Sequence, residues 1–477
     1  MSAKIIKKII IQAQLVCESP LRICSGQTDN IIDMLVLKNK NGQPFVPSTS
    51  LAGVLRDEIV SLYNDEVADF VFGTIQEDGN QSLLAISDVV LKNSKISVRD
   101  GVKINSLAGT AGQGAKFDFE VVERGCEGDL LMEITIREVH IDKADKFKSI
   151  LRHNLKGNDF FDDLAATISE MLSAGISVGA ITAKGFGKMK SKGKCGYVVF
   201  DFKNDNDAAE KWLSYLKDGK LLSNTFIVEE NAVQYAKKNF VLDAEFALKS
   251  SLLVRDYDVE EYIDSNAGSI SAVQMKSGDK YLIPGSSVKG AMRSCAEKIL
   301  LAIIGENQEK LKKFEKSKKF LDNLMGFANA NGTAGKRSQL FVDEVYIDKR
   351  ILVEQKQTRN RIDRFTGGTI ESALFTEIPV WQRNKGVPVI KLHCCVRECT
   401  KAQAGLMLLL LREMWLGDLA FGGGKTIGRG VVEGISANIH YNGDSFVIQD
   451  ENIKFIVSGD KSKLEEYVGA LVGEIDG

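Results

Sequence analysis

Two short segments bring hydroxyl groups, a glycine and cations together at matched spacing. Pro47-Ser48-Thr49-Ser50-Leu51-Ala52-Gly53-Val54-Leu55-Arg56 recurs as Pro284-Gly285-Ser286-Ser287-Val288-Lys289-Gly290-Ala291-Met292-Arg293. A helix that begins at such a run presents unpaired backbone N–H groups and the positive end of its dipole, a natural place for an anion. Ser50 and Ser287 stand at that start, and Arg56, Lys289 and Arg293 follow within two turns. The set suits a phosphate backbone. The plainer reading is helix capping by Ser48, Thr49, Ser286 and Ser287, with surface charge behind it. Gly53 and Gly290 favour the first reading. Each falls inside its helix, where glycine costs about 1 kcal/mol relative to alanine. A cost repeated in both segments points to close approach of something to the backbone.

Two glycine-rich loops, Gly179 to Gly187 and Gly422 to Gly430, carry Lys184 and Lys188 in one case and Lys425 and Arg429 in the other. Gly424-Lys425-Thr426 ends like a nucleotide-binding P-loop, but Leu419 occupies the place of its first glycine. The loop also leads from helix to strand, the reverse of P-loop order, so an NTPase is excluded. A basic glycine loop at a sheet edge suits a polynucleotide backbone, with a plain tight turn as the alternative. The stretches 98–123 and 353–380 read as extended hairpins. Arg99, Lys103 and Leu107 lie in the first, and Arg359, Arg361, Arg364 and Phe365 in the second. Cations beside an apolar or aromatic tip are what stacking against bases requires, and a solvated hairpin is the bland alternative. His393-Cys394-Cys395 with Cys399 invites a zinc reading. Strand alternation places His393 and Cys395 on opposite sides from Cys394, and no Cys-x-x-Cys partner exists, so a structural zinc is not expected.

These groups need elements to position them, and the chain writes those elements twice. Phe72-Gly73 is echoed by Met325-Gly326, and Ile86-Ser87-Asp88-Val89 by Val342-Asp343-Glu344-Val345. Ile104 to Gly109 is echoed by Ile362 to Gly367, with Phe117 landing on Phe375, and Gly185-Phe186-Gly187 by Gly428-Arg429-Gly430. The order is the same in both halves, the signature of a tandem duplication. Each half reads as strand (Lys4 to Val16; Val241 to Val254), helix, strands, helix, glycine loop and strand. The second helices are expected over 159–175 and 402–416. That order is a split β-α-β of ferredoxin or RNA-recognition type with a hairpin insertion, an α+β class. The expected division is 1–203 for the first domain, 204–235 for a linker, 236–439 for the second domain and 440–477 for a C-terminal extension.

With 477 residues the chain is too long for one core and fits two domains of about 200 residues. It lacks an apolar run long enough to span a bilayer, and its basic, apolar start reads as a strand without a cleavage site, so no membrane association and a cytoplasmic location are expected. The 8 Cys have no regular spacing and read as reduced thiols. A net charge of −2 argues against a free-standing protein that coats DNA, while leaving room for a basic stripe balanced by acidic faces.

Together these features resemble the backbone subunits of type III CRISPR effector complexes, in the RAMP superfamily. The resemblance rests on Gly42-Gln43-Pro44-Phe45-Val46 running into the first serine segment, on Ile283 to Gly290, on Asn360 to Gly368 and on the terminal Gly-Arg-Gly loop. It extends to about residue 435, and two fused units look like the type III-D branch. The first copy departs from the family at Ser48, where Gly is usual, and at Ala52, where Lys is usual. The resemblance implies that each unit grips guide RNA with its helix start and glycine loop, while its hairpin acts as a thumb that displaces a base of the guide–target duplex. It also implies partnership with guide RNA, target RNA and other effector subunits. In that family an Asp before the strand leading to the serine segment cleaves target RNA with a divalent metal, Mg²⁺ or Mn²⁺. Asp33 fits that place as catalytic and metal-holding residue, with Asp29 as its local competitor. In the second copy Ile270 falls there, and Asp264 is the nearest upstream candidate, so that copy either cleaves through Asp264 or only scaffolds. A guide-RNA scaffold without cleavage, and a guide-precursor-processing endoribonuclease, are the alternatives.

Overall fold

The computed structural model describes residues 4–29, 32–75, 79–104, 110–153, 159–193, 195–219, 226–227, 238–257, 270–304, 310–329, 333–371, 373–451 and 454–476. The chain divides into two compact units, 1–182 with 186–234, and 183–185 with 235–477.

In the first unit the β-branched run Ile5–Cys17 forms the central strand β1. The serine segment opens helix α1 (Ser48–Leu62), and α2 (Asp65–Phe72) follows. Next come β2 (Leu84–Ile86), the hairpin strands β3 (Ile96–Ile104) and β4 (Ala111–Val122), and β5 (Glu127–Arg137). Helix α3 (Phe160–Ala174), β6 (Lys188–Ser191), β7 (Gly196–Asp201) and α4 (Ala208–Asp218) complete it. β1 pairs antiparallel with β5 on one side and with β7 and β6 on the other, while β2 pairs with β5. The resulting order, β2-β5-β1-β7, is that of a split β-α-β sheet.

Alternation along β1 decides which face is covered by what. Ile9, Ile11, Leu15 and Cys17 enter the core shared with Leu51, Leu55 and Ile59 of α1 and with Leu164, Ile168 and Leu172 of α3. Ile10 points the other way, to Phe200 and Tyr215. Tyr215 belongs to α4, so the stretch expected to be a linker packs a helix on the back of the first sheet. The Asp159 side chain caps α3 by accepting from the Phe161 N–H (2.9 Å), and Gly175 at φ 105° ends it.

The second unit repeats the plan with β8 (Phe240–Leu248), α5 (Gly285–Ile304), α6 (Lys310–Met325), β9 (Leu340–Val342), β10 (Gln357–Arg359), β11 (Phe375–Ile378), β12 (Ile390–Val396) and α7 (Lys401–Leu416). It closes with β13 (Val432–Tyr441), β14 (Asp444–Glu451), β15 (Lys454–Ser458) and α8 (Lys461–Asp476). The sheet runs β9-β12-β8-β13-β14-β15. Residue 439 therefore falls inside β13. The stretch set apart as an extension adds two strands to the sheet, and Tyr467, Leu471 and Ile475 of α8 enter its core. Thr400 and Gln403 form a capping box at the start of α7. His393 Nδ1 meets Asp243 Oδ1 at 2.7 Å, and Cys394 is fully buried. Among the described residues, none of the helices is long and apolar enough to cross a membrane.

Candidate nucleic-acid interface

The two glycine-rich loops are the same backbone device, hydrogen bond for hydrogen bond. In the first, the Val178 N–H donates to the Gly187 carbonyl (2.9 Å), Gly187 N–H to Pro20 (2.7 Å) and Ala180 N–H to Arg22 (2.8 Å). In the second, Phe421 N–H donates to Gly430 (2.9 Å), Gly430 N–H to Ser251 (2.7 Å) and Gly423 N–H to Leu253 (2.7 Å). Ser19 Oγ accepts from Lys188 N–H (2.9 Å) as Ser250 Oγ accepts from Val431 N–H (3.0 Å). Gly187 and Gly430 both have φ 76°, and a Cβ there would stand 1.9 Å from the Val178 carbonyl or 1.8 Å from that of Phe421. Closure of the loop itself thus explains these glycines. What the loops leave for a partner is their exposed basic turns. Lys184 is exposed in the turn Thr182–Lys184, and Lys425 in the turn Lys425–Ile427. Lys188 is half-buried at the start of β6.

Arg429 is a correction to the sequence reading. It is 2% exposed and donates to Glu377 Oε2 (2.6 Å) and Gln357 Oε1 (2.8 Å). Burial alone would raise the Glu377 carboxyl, but Arg429 and then Arg255 hold it below its usual value. In the first unit the residue between the two glycines is Phe186. Its ring lies 6.3 Å from that of Phe119, with the Arg99 guanidinium 5.4 Å above it. Arg99 itself pairs with Glu123 (3.3 Å). Counting from Phe117 and Phe375, Phe119 corresponds to Glu377 and Arg99 to Gln357. Each unit therefore pins its glycine loop to the hairpin base through the same three positions, once with aromatic rings and once with a buried ion pair.

The helix starts also separate binding from structure. The cap position of α1 is Pro47, so Ser48 and Thr49 lie inside the first turn rather than capping it. Ser48 N–H donates to the Asp88 carboxylate (2.7 Å), an acceptor 40 residues away that no local spacing identifies. Ser50 and Ser287 are half-buried and bond back to Pro47 (3.0 Å) and Pro284 (2.9 Å). Arg56 reaches Asp69 and the Gly73 carbonyl (3.4 Å). Arg293 reaches Asp322 (2.6 Å) and the Gly326 carbonyl (3.0 Å). Both arginines tie the first helix to the C-terminal end of the second, so the duplicated cation has a structural task in place of the expected phosphate contact. Lys289 is corrected too. It is 7% exposed, and its ammonium donates to Ser338 Oγ (2.7 Å) and the Leu340 carbonyl (2.8 Å). Burial lowers it to about 7. Gly53 and Gly290 are exposed, and a Cβ on either would meet nothing within 4 Å. The close approach that their placement implies is not made within the described chain.

The second hairpin projects its tip into solvent. Phe365 is 99% exposed, with Arg361 and Arg364 exposed beside it. Asp363 holds the tip by accepting from the Phe365 N–H (2.9 Å) and the Thr366 N–H (2.8 Å). The tip of the first hairpin, 105–109, lies outside the described residues, Leu107 included.

Asp33 is exposed at the foot of the first hairpin. Its N–H donates to the Asp118 carbonyl (3.1 Å), and its Oδ2 accepts from the Asp118 N–H (2.9 Å). Asp100 lies opposite Asp118 in the hairpin register. A hydrogen bond between their carboxyls is the main cause that raises Asp118 above the usual range. Asp29 instead closes the preceding turn, accepting from the Ile32 N–H (2.5 Å). Among the described residues no three His, Cys, Asp or Glu side chains gather as a metal site. Asp264 lies outside the described residues, and Ile270 begins a strand, Ile270–Gln274, that runs parallel to β11.

A family model described as the RAMP superfamily matches residues 14–190 and 245–433. No curated protein sequence matches the chain. Among solved structures, it is similar to a chain of a type III-B Cmr-beta complex in the apo state at 10% identity. That match covers 40% of this chain and 97% of the other, with a TM-score of 0.30. A chain of type III-B Cmr-beta bound to cognate target RNA matches at 13% identity, covering 40% of this chain and 61% of the other, with a TM-score of 0.28.

Proposed function

Because this chain belongs to the RAMP superfamily, we propose that it is a guide-RNA-binding backbone subunit of a type III CRISPR ribonucleoprotein, of the fused-unit kind. Its partners are then guide RNA, target RNA and the other subunits of the effector. The observation that carries this reading is the open space above Gly53 and Gly290. A helix accepts glycine at a cost, and neither position has a neighbour that explains it. A polynucleotide backbone lying against α1 and α5 would use the approach that a side chain would block. Lys184 and Lys425, exposed in the turns of the two glycine loops, would screen backbone charge, and Phe365 offers a stacking face.

The first unit then cleaves guide-paired target RNA at Asp33. The Asp118 N–H fixes one oxygen of that carboxylate, leaving the other to face the RNA. One or two carboxylates plus substrate phosphates are a common setting for Mg²⁺. Asp33 would hold a Mg²⁺ or Mn²⁺ ion there together with the substrate phosphate. Such an ion would neutralise charge at the scissile phosphate. Asp33 itself would orient the attacking 2′-hydroxyl and accept its hydrogen bond.

Substituting Gly53 and Gly290 with Gln tests the binding half of this reading. Because the Cβ has room, each change should raise the melting temperature by the equivalent of about 0.5–1 kcal/mol. RNA retention by the assembled protein should nevertheless fall. Retention equal to that of the unmodified protein would overturn the proposed path of the RNA.

A further inference from the structure

Arg22 is a buried cation without an anion. It is 7% exposed. Its guanidinium carbon lies 4.6 Å from the centre of the Phe119 ring, and Nη2 rests against Met34 Sδ. Its Nε is buried with no hydrogen-bond partner, and no carboxylate pairs with it among the described residues. A guanidinium is worth burying only when its donors are met, and an aromatic face meets part of that need. Arg429 also leaves its Nε unpaired, but its other nitrogens meet Glu377 and Gln357; Arg22 is the buried arginine whose donors meet no oxygen acceptor among the described residues, which is uncommon in folded proteins.

The neighbours of Arg22 suggest a cause. Its carbonyl accepts the Ala180 N–H of the glycine loop (2.8 Å). Phe119 beneath it belongs to the hairpin and packs toward Phe186. Met34 follows Asp33 directly. The side chain therefore stands where the glycine loop, the hairpin base and the Asp33 segment of the first unit meet.

The second unit supplies an internal control. Leu253 accepts the matching N–H, that of Gly423, at 2.7 Å and is fully buried. The fold is built there with an apolar residue, so the frame itself has no need of a cation. Charge at this position accompanies Asp33 in the first unit, and both are replaced in the second: Met34 lies opposite Phe119 as Ala272 lies opposite Glu377, so Ser271, rather than the Ile270 expected from sequence, stands in the place of Asp33.

We propose that Arg22 is the phosphate-binding residue of the Asp33 site, its missing partner being a phosphate oxygen of RNA lying beside Asp33. This rests on the RNA-binding reading above and adds a positioning residue to it. A guanidinium presents paired donors that match phosphate geometry. Met34 covers it and is only half-buried, and an unbranched thioether repacks readily. Displacing Met34, which follows Asp33 in the chain, would uncover the guanidinium.

The test uses the full chain in its assembled ribonucleoprotein, with an end-labelled single-stranded RNA as probe. Arg22→Leu, Arg22→Lys and the unmodified protein are compared by melting temperature and by affinity across a salt series. Arg22→Leu, which installs the residue of the second unit, should melt no lower than the unmodified protein. It should bind about tenfold or more weakly. The slope of log affinity against log salt should shrink by about 0.7–0.9, the mark of one lost phosphate contact. Arg22→Lys should recover part of that slope. A lower melting temperature with unchanged affinity and slope would overturn the proposal and leave Arg22 as a structural cation. If the unmodified assembly binds no RNA, the parent reading fails and takes this one with it; binding that Arg22→Leu leaves untouched overturns this one alone.

Discussion

Lys289 carries an ammonium into a corner where it spends its hydrogen bonds on Ser338 and the Leu340 carbonyl. Burial holds it at about 7, far below an exposed lysine. Between about 7 and the ordinary value of 10.5 the unfolded chain binds the extra proton. Stability therefore rises with pH across that window, and the full cost is present below it. Urea titrations between pH 7 and 10 should show this rise for the unmodified protein and a flatter profile for Lys289→Met. Parallel profiles would mean that the ammonium is solvated. Arg56 and Arg293 yield a second expectation. Arg56→Ala and Arg293→Ala should each cost about 1–3 kcal/mol of stability through the loosened end of the second helix. RNA affinity should change little in whatever remains folded, and a loss of affinity without loss of stability would restore them to the interface. The sequence marks these cations as recurrent but not where they point. Asp69 and Asp322 lie 13 and 29 residues from their arginines, because α5, the connection that follows it and α6 are each longer than their counterparts in the first unit. Only the folded chain shows that both arginines meet the same acceptors.

At the scale of elements, the joint between glycine loop and hairpin has two solutions to one problem. Arg429 paired with Glu377 is the costly one to break. Arg429→Ala should destabilise the second unit by about 1–3 kcal/mol, because it leaves the buried Glu377 carboxylate to Arg255 alone. Replacing Arg429 and Glu377 together with Phe imports the rings of the first unit and should recover most of the loss. Calorimetry checks both, and a double variant as unstable as Arg429→Ala would mean that the two joints are not interchangeable. The hairpin tip behaves differently. Phe365→Ala should leave the melting temperature unchanged while weakening engagement of base-paired target by about 1–3 kcal/mol, since the ring touches solvent alone. Band-shift titrations measure this, and unaltered binding would remove the stacking role. The hairpins, the helix starts and the glycine loops were legible from spacing and repetition. Their strand limits were less so: the run over 340–347 breaks into Leu340–Val342 and Val345–Asp348. The stretch over 83–90 breaks likewise, because each crosses from the main sheet to a smaller one.

The whole molecule is a duplicated α+β frame, and the duplication is what made the fold readable. Two weak signals in matching order constrain each other more than either does alone. The same reasoning was blind where the copies differ. The polar, charged tail looked detachable because α8 buries only one narrow stripe, Tyr467, Leu471 and Ile475, and β14 and β15 are short pairings at a sheet edge. Partners across the fold, such as Asp88 for Ser48 and Asp118 for Asp33, are set by tertiary contact and leave no local spacing to find. The copies also divide the chemistry. The first holds an exposed carboxylate at its hairpin foot and a buried cation near it, and the second has Ser271 and Leu253 in those places.

The most direct measurement is cleavage of end-labelled target RNA by the assembled complex with Mg²⁺, comparing the unmodified protein with Asp33→Ala, Asp264→Ala and the double variant. The account predicts that Asp33→Ala loses a cut while guide and target remain bound, and that the frame, held by its glycine loops and helix-end arginines, keeps its melting temperature. A second cut lost with Asp264→Ala would make both units active. An unchanged cleavage pattern in all three variants would contradict the account and leave the chain as a scaffold.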